Sequence, residues 1–342
     1  MTFRVKGPGG DGIPGETRAF LDEWFSDAEH VTGYTSGSTG APRRVDLLKS
    51  DMRASATLSN AYFRLTSRST LLLCLSPGHI AGRMMIVRAI LAGARLIAMT
   101  PGRDPLAALP SRTRVDLAAM VPLQVETTLS RANGAEELSR VRQLLVGGAA
   151  LSPALERRLG ALPVECHASY GMTETVSHVA LRRVNGPCPS PIYTALGETR
   201  FEIDERGCLA IRAPHLRQGR FVTNDLVRLV DATRFAWLGR FDNVINSGGV
   251  KLFPEELETR IAPLLACRFF ITALPDALLG ERAVLVIEGT PWSASEQQLF
   301  TSRLSLVLSS RERPRSIIFL PSFMESASGK FLRRLPSPGN GE

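Results

Sequence analysis

A segment rich in glycine and hydroxyl side chains has the composition of a loop that binds a polyphosphate. It reads Thr35, Ser36, Gly37, Ser38, Thr39, Gly40, Ala41, Pro42 and Arg43. Glycines free the backbone to curl, which lets amide and hydroxyl groups point at phosphate oxygens. The segment is not a Walker A loop, because no Gly-Lys-Ser/Thr follows its glycines at the required spacing. A flexible linker is the alternative, but the apolar run before the segment and the arginines after it favour a binding loop.

A second cluster combines an aromatic ring, a hydroxyl and a carboxylate within a few residues. It consists of Tyr170, Gly171, Met172, Thr173 and Glu174, and it is preceded in the chain by Gly147, Gly148 and Ala149. The ring could stack on a purine, the hydroxyl could bind a phosphate oxygen, and the carboxylate could hold Mg²⁺. A surface turn is the alternative explanation.

A third cluster begins with Arg240 and Asp242 and continues to the pair Gly248 and Gly249, followed by Lys251. An arginine and an aspartate ahead of a Gly-Gly pair, at a predicted domain junction, are typical of a hinge whose arginine also contacts a ligand. A plain hairpin is the alternative. The fourth segment is a turn of small residues that presents one lysine, Lys330, for which solvated surface is the alternative.

Apolar periodicity predicts the elements that must position these residues. Helices are expected at 17–27, 49–65, 254–265 and 293–308. Strands are expected at 31–35, 71–75, 95–99, 117–121, 144–146, 198–203, 208–212, 227–229, 235–238, 268–273, 283–288 and 315–320, with a loop at 239–249. The alternation of strands and helices indicates an α/β protein with a β-rich subregion after residue 163. We expect a large N-terminal domain over 1–240 and a small, mobile C-terminal α+β domain over 241–342.

Composition excludes several other classes of protein. The net charge of +8 over 342 residues is spread in pairs of arginines, without a dense basic run, so we expect no nucleic-acid binding. The five cysteines show no zinc or disulfide spacing, which favours a reduced, cytoplasmic protein. No membrane span is expected, since arginines interrupt the longest apolar run. A G-x-G-x-x-G match at residues 7–12 carries little weight, because only residues 1–6 precede it as a possible strand and Pro8 and Pro14 crowd the turn.

Together, the four segments in this order resemble the acyl-adenylate-forming superfamily of acyl-CoA synthetases, adenylation domains and luciferases. The resemblance runs from about Val31 to Arg334, nearly the whole chain. It implies that ATP, Mg²⁺ and coenzyme A are used. The residues implied to hold ATP are Thr35, Ser36, Gly37, Ser38, Thr39, Gly40, Arg43, Gly147, Gly148, Ala149, Tyr170, Gly171, Thr173, Asp225 and Arg240.

The same resemblance implies roles for the remaining charged residues. Glu174 would bind Mg²⁺, and Lys330 would bridge the carboxylate and the α-phosphate during adenylation. Asp242 would be the hinge about which the small domain rotates, and Lys251 would serve the coenzyme A half-reaction. One departure is Asn224, which stands beside Asp225 where many members have glycine.

Segments around residues 75–89, 170–183 and 245–255 look like those of the compact bacterial o-succinylbenzoate:CoA ligases. The resemblance implies o-succinylbenzoate as the acid substrate, and a cation or donors are needed for its distal carboxylate. The candidates are His79, Arg83 and His178, with a helix-surface charge as the alternative for Arg83 and a structural histidine as the alternative for His178.

Several alternatives stay open. Another aryl- or acyl-acid:CoA ligase would share these residues, as would an adenylation enzyme that loads a carrier protein. A catalytically inactive binding homologue is a third possibility, and a homo-oligomer is possible. Only about 30 residues precede the phosphate segment, which indicates a compact member of the superfamily or a truncated chain.

Overall fold

The computed structural model describes residues 3–10, 12–35, 43–324, 333 and 335. Its helices are α1 (Gly15–Phe25), α2 (Lys49–Phe63), α3 (Ile80–Ala92), α4 (Pro122–Leu129), α5 (Gly134–Leu138), α6 (Pro153–Gly160), α7 (Pro254–Ile261) and α8 (Ala294–Val307). Its first ten strands are β1 (Arg4–Lys6), β2 (His30–Thr35), β3 (Arg43–Leu48), β4 (Thr70–Leu73), β5 (Arg95–Ala98), β6 (Val115–Met120), β7 (Val141–Val146), β8 (Glu165–Gly171), β9 (His178–Arg183) and β10 (Ile192–Ala195). The others are β11 (Arg200–Ile203), β12 (Cys208–Arg212), β13 (Arg220–Asp231), β14 (Arg234–Arg240), β15 (Ile245–Ser247), β16 (Val250–Leu252), β17 (Phe269–Asp276), β18 (Gly280–Glu288) and β19 (Ser316–Leu320).

A twelve-stranded sheet forms the frame of the molecule, in the order β1-β5-β4-β6-β7-β8-β9-β10-β14-β13-β12-β11. The strands from β1 to β8 along this order pair in parallel. From β8 onward every pairing in the sheet is antiparallel. The parallel half is the α/β part predicted from the sequence, and the antiparallel half is the predicted β-rich subregion.

The parallel strands are apolar on both faces because helices and loops cover them. Leu71, Leu72 and Leu73 of β4 are all fully buried, and they divide between two apolar cores. Because β6, β7 and β8 are parallel neighbours, their carboxyl ends lie side by side at one edge of the sheet. In open parallel sheets, ligands bind along this edge.

The C-terminal strands form a second sheet of five strands, in which β18 lies between β17 and β19. It has its own apolar core, which includes Leu257 of α7 and Phe300 and Leu304 of α8. The twelve-stranded sheet ends at Arg240 and this sheet begins at Ile245. The domain boundary near residue 240 stays a prediction.

Two expectations about local structure were wrong. The predicted loop at 239–249 contains β15 and a 3-10 turn over Phe241–Asn243, because Ile245 is buried and pairs with Leu252. The helix predicted to reach residue 265 ends at Ile261 and continues as a 3-10 turn over Ala262–Leu264, where a proline removes a helical donor. No helix within the described ranges is long and apolar enough to cross a membrane.

Candidate active site

The candidate site begins where the large sheet changes from parallel to antiparallel pairing. Gly147 directly follows β7, and Tyr170 lies near the end of the neighbouring strand β8. The next pairing, between β8 and β9, is irregular at Tyr170 and Gly171. In open α/β sheets, ligands bind outside the carboxyl ends of the parallel strands, which is where Gly147 and Tyr170 lie.

Gly147 lies against the Ser169 side chain of β8, so a side chain at position 147 would require Ser169 to move. A Cβ atom there would lie 2.2 Å from Oγ of Ser169, whose hydroxyl donates to the carbonyl oxygen of Val146 at 3.2 Å. The next residue, Gly148, has φ of +82°, which L side chains rarely adopt. The two glycines therefore allow a backbone path that the predicted adenine pocket needs, and Ala149 beyond them is exposed.

Tyr170, Asp225 and Arg240 come together although they are distant in the sequence. The Tyr170 hydroxyl donates to Oδ2 of Asp225 at 2.6 Å, and the indole nitrogen of Trp237 donates to Oδ1 at 3.1 Å. Nη1 of Arg240 lies 3.8 Å from Oδ1 of Asp225. Asp225 and Arg240 are direct cross-strand partners on β13 and β14. The structure thus brings together three of the residues predicted to bind the nucleoside, and Trp237 is a contact that the sequence did not suggest.

The Tyr170 ring is held by aromatic neighbours. It packs edge-on against Phe235 and Tyr193, with ring centres 5.1 Å and 5.8 Å away. Burial, followed by the nearby Asp225 carboxylate, holds the pKa of the Tyr170 hydroxyl well above its usual value of 10.0. The hydroxyl is therefore a hydrogen-bond donor across the physiological pH range.

The segment after Tyr170 is a turn organised around Thr175. Oγ1 of Thr175 accepts a hydrogen bond from the Met172 amide at 3.0 Å and lies 2.8 Å from the Ser177 carbonyl oxygen. These contacts fix the backbone that carries Thr173 and Glu174.

The two predicted ligand residues of this turn face outward. Glu174 is exposed and Thr173 is half-buried, and neither side chain has a hydrogen bond or ion pair with the residues that the structure describes.

Val176 adopts φ of 63°, a left-handed conformation that is strained for a β-branched residue. No group of three or more His, Cys, Asp or Glu side chains that could hold a metal occurs within the described part of the chain.

The predicted phosphate segment lies mainly outside the described residues. Ser36, Gly37, Ser38, Thr39 and Gly40 fall there, as does Lys330. Strands β2 and β3 on either side of the segment pair with each other, and Thr35 is the register partner of Arg43. The segment therefore starts and ends at adjacent points of one hairpin.

Arg83 is buried, so the helix-surface alternative is wrong. Its Nε donates to the carbonyl oxygen of Pro77 at 2.7 Å, and Nη1 donates to that of Thr32 on β2. Glu23 accepts from the Thr32 amide at 2.8 Å and lies 3.8 Å from Nη1 of Arg83. Arg83 therefore holds the strand that leads into the phosphate segment. His79, in contrast, is exposed at the start of α3.

His178 lies in a buried polar cluster with Ser59, Arg88 and Ser177. Its Nε2 lies 3.2 Å from Oγ of Ser59, and its Nδ1 lies 3.3 Å from Nη2 of Arg88. Arg88 also donates to Ser59 at 2.8 Å and to Ser177 at 2.6 Å. Burial, and secondarily the Arg88 charge, holds the pKa of His178 well below 6.5, so the imidazole is neutral.

Arg88 was missed as a candidate because it looked like an interruption of an apolar helix. It is 1% exposed, and burial lowers its pKa to about 9. No carboxylate in the described part of the chain forms an ion pair with it. A buried cation without a counterion is costly, and a buried group with a shifted pKa is a candidate functional residue.

The predicted hinge lies between the two sheets. Asp242 sits in the 3-10 turn, and its Oδ2 accepts from Nη2 of Arg240 at 3.0 Å. Gly248 and Gly249, with φ of 58° and 80°, form the two-residue turn between β15 and β16. The Gly-Gly pair thus serves a hairpin, and exposed Lys251 lies on its second strand.

The residue three positions after Lys330 is anchored to α7. The guanidinium of Arg333 donates to Oε2 of Glu258 and lies 3.4 Å from Oε1 of Glu255. Glu258 also accepts from the Ile271 amide at 2.6 Å. Burial raises the pKa of Glu258 to about 7, although Arg333 opposes the shift. These carboxylates fix one point of the C-terminal segment.

The described residues thus form a large mixed sheet, a second small sheet after it, and a cluster of Tyr170, Asp225 and Arg240 near the end of the parallel strands. A sequence model of the AMP-binding enzyme family matches residues 26–214, which is more than half of the chain. The chain belongs to this family, as its four segments predicted.

Individual relatives agree with this assignment. A 2-succinylbenzoate–CoA ligase of Bacillus cytotoxicus is 26% identical over 348 residues, covering 92% of this chain and 71% of that protein. The crystal structure of an acyl-CoA synthetase (AMP-forming)/AMP-acid ligase II-like protein from Dyadobacter fermentans is 34% identical, with a TM-score of 0.64 and coverage of 96% of this chain and 97% of that one. The o-succinylbenzoate CoA synthetase of Bacillus subtilis, in complex with its acyl-adenylate intermediate, shares the fold at 20% identity, with a TM-score of 0.73 and coverage of 88% and 67%. The predicted fold class is therefore confirmed.

Proposed function

We propose that the chain is an ATP-dependent acid:CoA ligase that converts 2-succinylbenzoate first to its acyl-adenylate and then to its coenzyme A thioester. Family membership supports adenylate formation, and the relatives named 2-succinylbenzoate–CoA ligase support the acid. The observation that carries the choice of acid is the buried Arg88, which has no carboxylate partner among the described residues.

The nucleoside is bound by the cluster around Asp225. Tyr170 and Trp237 hold the Asp225 carboxylate, and one of its oxygens lies near Arg240. A carboxylate held in this way can accept hydrogen bonds from the two ribose hydroxyls. The adenine lies against Tyr170 and the backbone of Gly147 and Gly148, which carry no side chain of their own. The phosphates are bound by residues 35–43, including Arg43.

Mg²⁺ fits the donors of this site. Glu174 is an exposed carboxylate that no cation of the described residues neutralises, on a turn whose backbone is fixed. Mg²⁺ keeps several waters and typically takes one or two carboxylates together with phosphate oxygens. When bound, the ion offsets phosphate charge, and Thr173 and Lys330 supply further donors at the same phosphates.

The acid is held at its second carboxylate by Arg88. The guanidinium contacts Ser177, which lies in the sequence just after the turn carrying Thr173 and Glu174. An anionic group there would gain a charge-assisted hydrogen bond in a low-dielectric site, where such bonds are strong. Neutral His178 orients the guanidinium without competing for the anion, since it carries no charge. Arg83 already has the Glu23 carboxylate 3.8 Å away and donates to a backbone carbonyl, so it suits a positioning role instead.

Charge repulsion explains why the reaction needs these residues. A carboxylate that attacks the α-phosphate of ATP brings two anions together, and cations at both reactants lower that barrier. The carboxylate oxygen forms the new bond to phosphorus as diphosphate leaves. The thiolate of coenzyme A then displaces AMP from the acyl carbon, in a step that Lys251 would assist.

The test is acid-dependent AMP release with ATP, Mg²⁺ and coenzyme A. We expect 2-succinylbenzoate to exceed benzoate, salicylate and a medium-chain fatty acid in kcat/KM, with the thioester confirmed by mass. A preference for one of the other acids would contradict the proposed substrate and retain the reaction. Adenylate formation without any thioester would favour an enzyme that loads a carrier protein.

A further inference from the structure

The 3-10 turn Phe241–Asn243, which carries the hinge candidate Asp242, is called the hinge turn. Two residues outside the predicted active site, Arg206 and Asn224, connect it to the large sheet. Nη1 of Arg206, on the turn between β11 and β12, donates to Oδ1 of Asn224 at 2.9 Å. Nδ2 of Asn224 in turn lies 3.3 Å and 3.4 Å from the two carboxylate oxygens of Asp242. We call this pair of contacts the Arg206–Asn224 bridge.

Arg206 is itself fixed on three sides. Its Nε donates to Oδ2 of Asp204 at 3.0 Å, and its Nη2 donates to the carbonyl oxygen of Thr223 at 2.9 Å. The guanidinium carbon also lies 5.7 Å from the centre of the Phe241 ring, next to the hinge residue. The arginine therefore contacts both the sheet and the hinge turn.

An amide side chain suits both contacts of this bridge. Asn224 accepts from a cation through its oxygen and donates to an anion through its nitrogen. An aspartate would still accept from Arg206 but would repel Asp242. Glycine, which many members of the superfamily have at this position, would make neither contact. The residue that departs from the common pattern is thus the one that links Arg206 to Asp242.

The contacts divide between the two sides of the hinge turn. Asp242 receives hydrogen bonds from Asn224 and Arg240, which belong to the large sheet. The next residue, Asn243, instead donates to Oε1 of Glu255 on α7 at 2.6 Å. A movement that turns the Asp242 side chain away from β13 must break the bridge.

We propose that Asn224 and Arg206 are positioning residues that stabilise the hinge conformation seen here and so set the balance between adenylation and thioester formation. This inference rests on the proposed function, because it needs two half-reactions carried out in two hinge conformations. Loss of the bridge lowers the population of one conformation and raises that of the other. The half-reaction that uses this conformation slows, while the other becomes faster or keeps its rate.

The experiment measures the two half-reactions separately. Adenylation is followed by diphosphate release with ATP, Mg²⁺ and 2-succinylbenzoate, and thioester formation by mass from the synthetic acyl-adenylate and coenzyme A. The variants are Asn224→Gly, Asn224→Asp and Arg206→Ala. Arg228→Ala is the control, because Arg228 is an exposed arginine of the same strand as Asn224 without a partner in the described part of the chain.

We expect the ratio of the two rates to shift by about fivefold in the same direction in all three variants, as the loss of one hydrogen bond predicts. The Arg228→Ala ratio should equal that of the wild type. Equal slowing of both half-reactions would overturn the proposal, since a purely structural role predicts that result, and an unchanged ratio would overturn it as well. If the wild type carries out neither half-reaction, the proposed function itself is contradicted. A wild type that carries out both, with variants that keep its ratio, contradicts only the hinge proposal.

Discussion

The hydroxyl of Tyr170 donates a 2.6 Å hydrogen bond to Oδ2 of Asp225, and 55 residues of sequence separate the two. The bond joins the end of the parallel half of the sheet to the antiparallel half, at the place where we expect the nucleoside. Its geometry leads to the first prediction.

Tyr170→Phe should raise the KM for ATP about tenfold, because a hydrogen bond to a charged group contributes about 1.5–3 kcal/mol. The ring is retained, so stacking on adenine is preserved and kcat should change little. Steady-state kinetics with varied ATP measure the effect. Tyr62→Phe is the matched control, since Tyr62 is 46% exposed and lies against His167 instead. An unchanged KM would show that the Asp225 carboxylate needs no support from Tyr170.

Gly147→Ala should lower kcat/KM for ATP at least tenfold, because its Cβ would lie 2.2 Å from Oγ of Ser169. Adding Ser169→Ala removes that oxygen and should restore most of the activity. Gly148→Ala is the control: its defect arises from φ of +82° and should not be rescued by Ser169→Ala. Equal rescue of both alanine variants would contradict the steric explanation.

Arg88→Met should raise the KM for 2-succinylbenzoate by at least about 30-fold, the loss expected when one partner of a buried charge pair is removed. The rate with benzoate, which lacks the second carboxylate, should change much less. Arg95→Met is a control, since that exposed arginine bonds to Thr70 on the strand. Thermal unfolding distinguishes a misfolded Arg88→Met variant from one that has lost only substrate affinity. Equal losses with both acids would contradict the assignment.

Because of Glu258, the free energy of unfolding should decrease as pH rises from about 4.5 to about 7. Burial raises its folded pKa from 4.5 to about 7, so in that window the unfolded chain has released a proton that the folded chain still holds. Glu258→Gln should remove this contribution, although it also weakens the contact with Arg333. The Tm of the variant minus that of the wild type should therefore increase by a few degrees between pH 5 and pH 7.5. A constant difference would contradict the raised pKa.

Lys330→Ala should abolish adenylate formation and leave thioester formation from supplied acyl-adenylate largely intact. The lysine offsets repulsion between two anions only in the first step. Diphosphate release and thioester mass measure the two steps. Lys251→Ala should show the opposite pattern. If both half-reactions survive in Lys330→Ala, the role given to that residue is wrong.

The fold could be predicted because its signals are local, and the family resemblance singled out Tyr170, Asp225 and Arg240, whose role in binding a nucleoside stays a prediction. Buried strands such as β4 and β7 show as short apolar runs, and Tyr170, Asp225 and Arg240 each lie in a recognisable motif. The sequence could also identify Asp242 as a hinge candidate. In each of these cases neighbouring residues in the chain carry the information.

What the sequence could not predict depends on contacts between distant segments. Ser59 and His178, 119 residues apart, converge on Arg88, which in the sequence is one charge within an apolar helix. For the same reason, the sequence could not exclude a surface position for the candidate Arg83, which is buried against β2. The prediction of a loop at 239–249 was wrong at Ile245, which is buried in β15. This strand has only three residues, too few to show an apolar pattern in the sequence.

Single-turnover analysis by mass tests the central claim most directly. One sample of the protein is mixed with ATP, Mg²⁺ and 2-succinylbenzoate and then quenched. A parallel sample receives coenzyme A before it is quenched. We predict 2-succinylbenzoyl-adenylate in the first sample and its replacement by 2-succinylbenzoyl-CoA and AMP in the second. Absence of the adenylate, in a folded protein that binds ATP, would contradict the account.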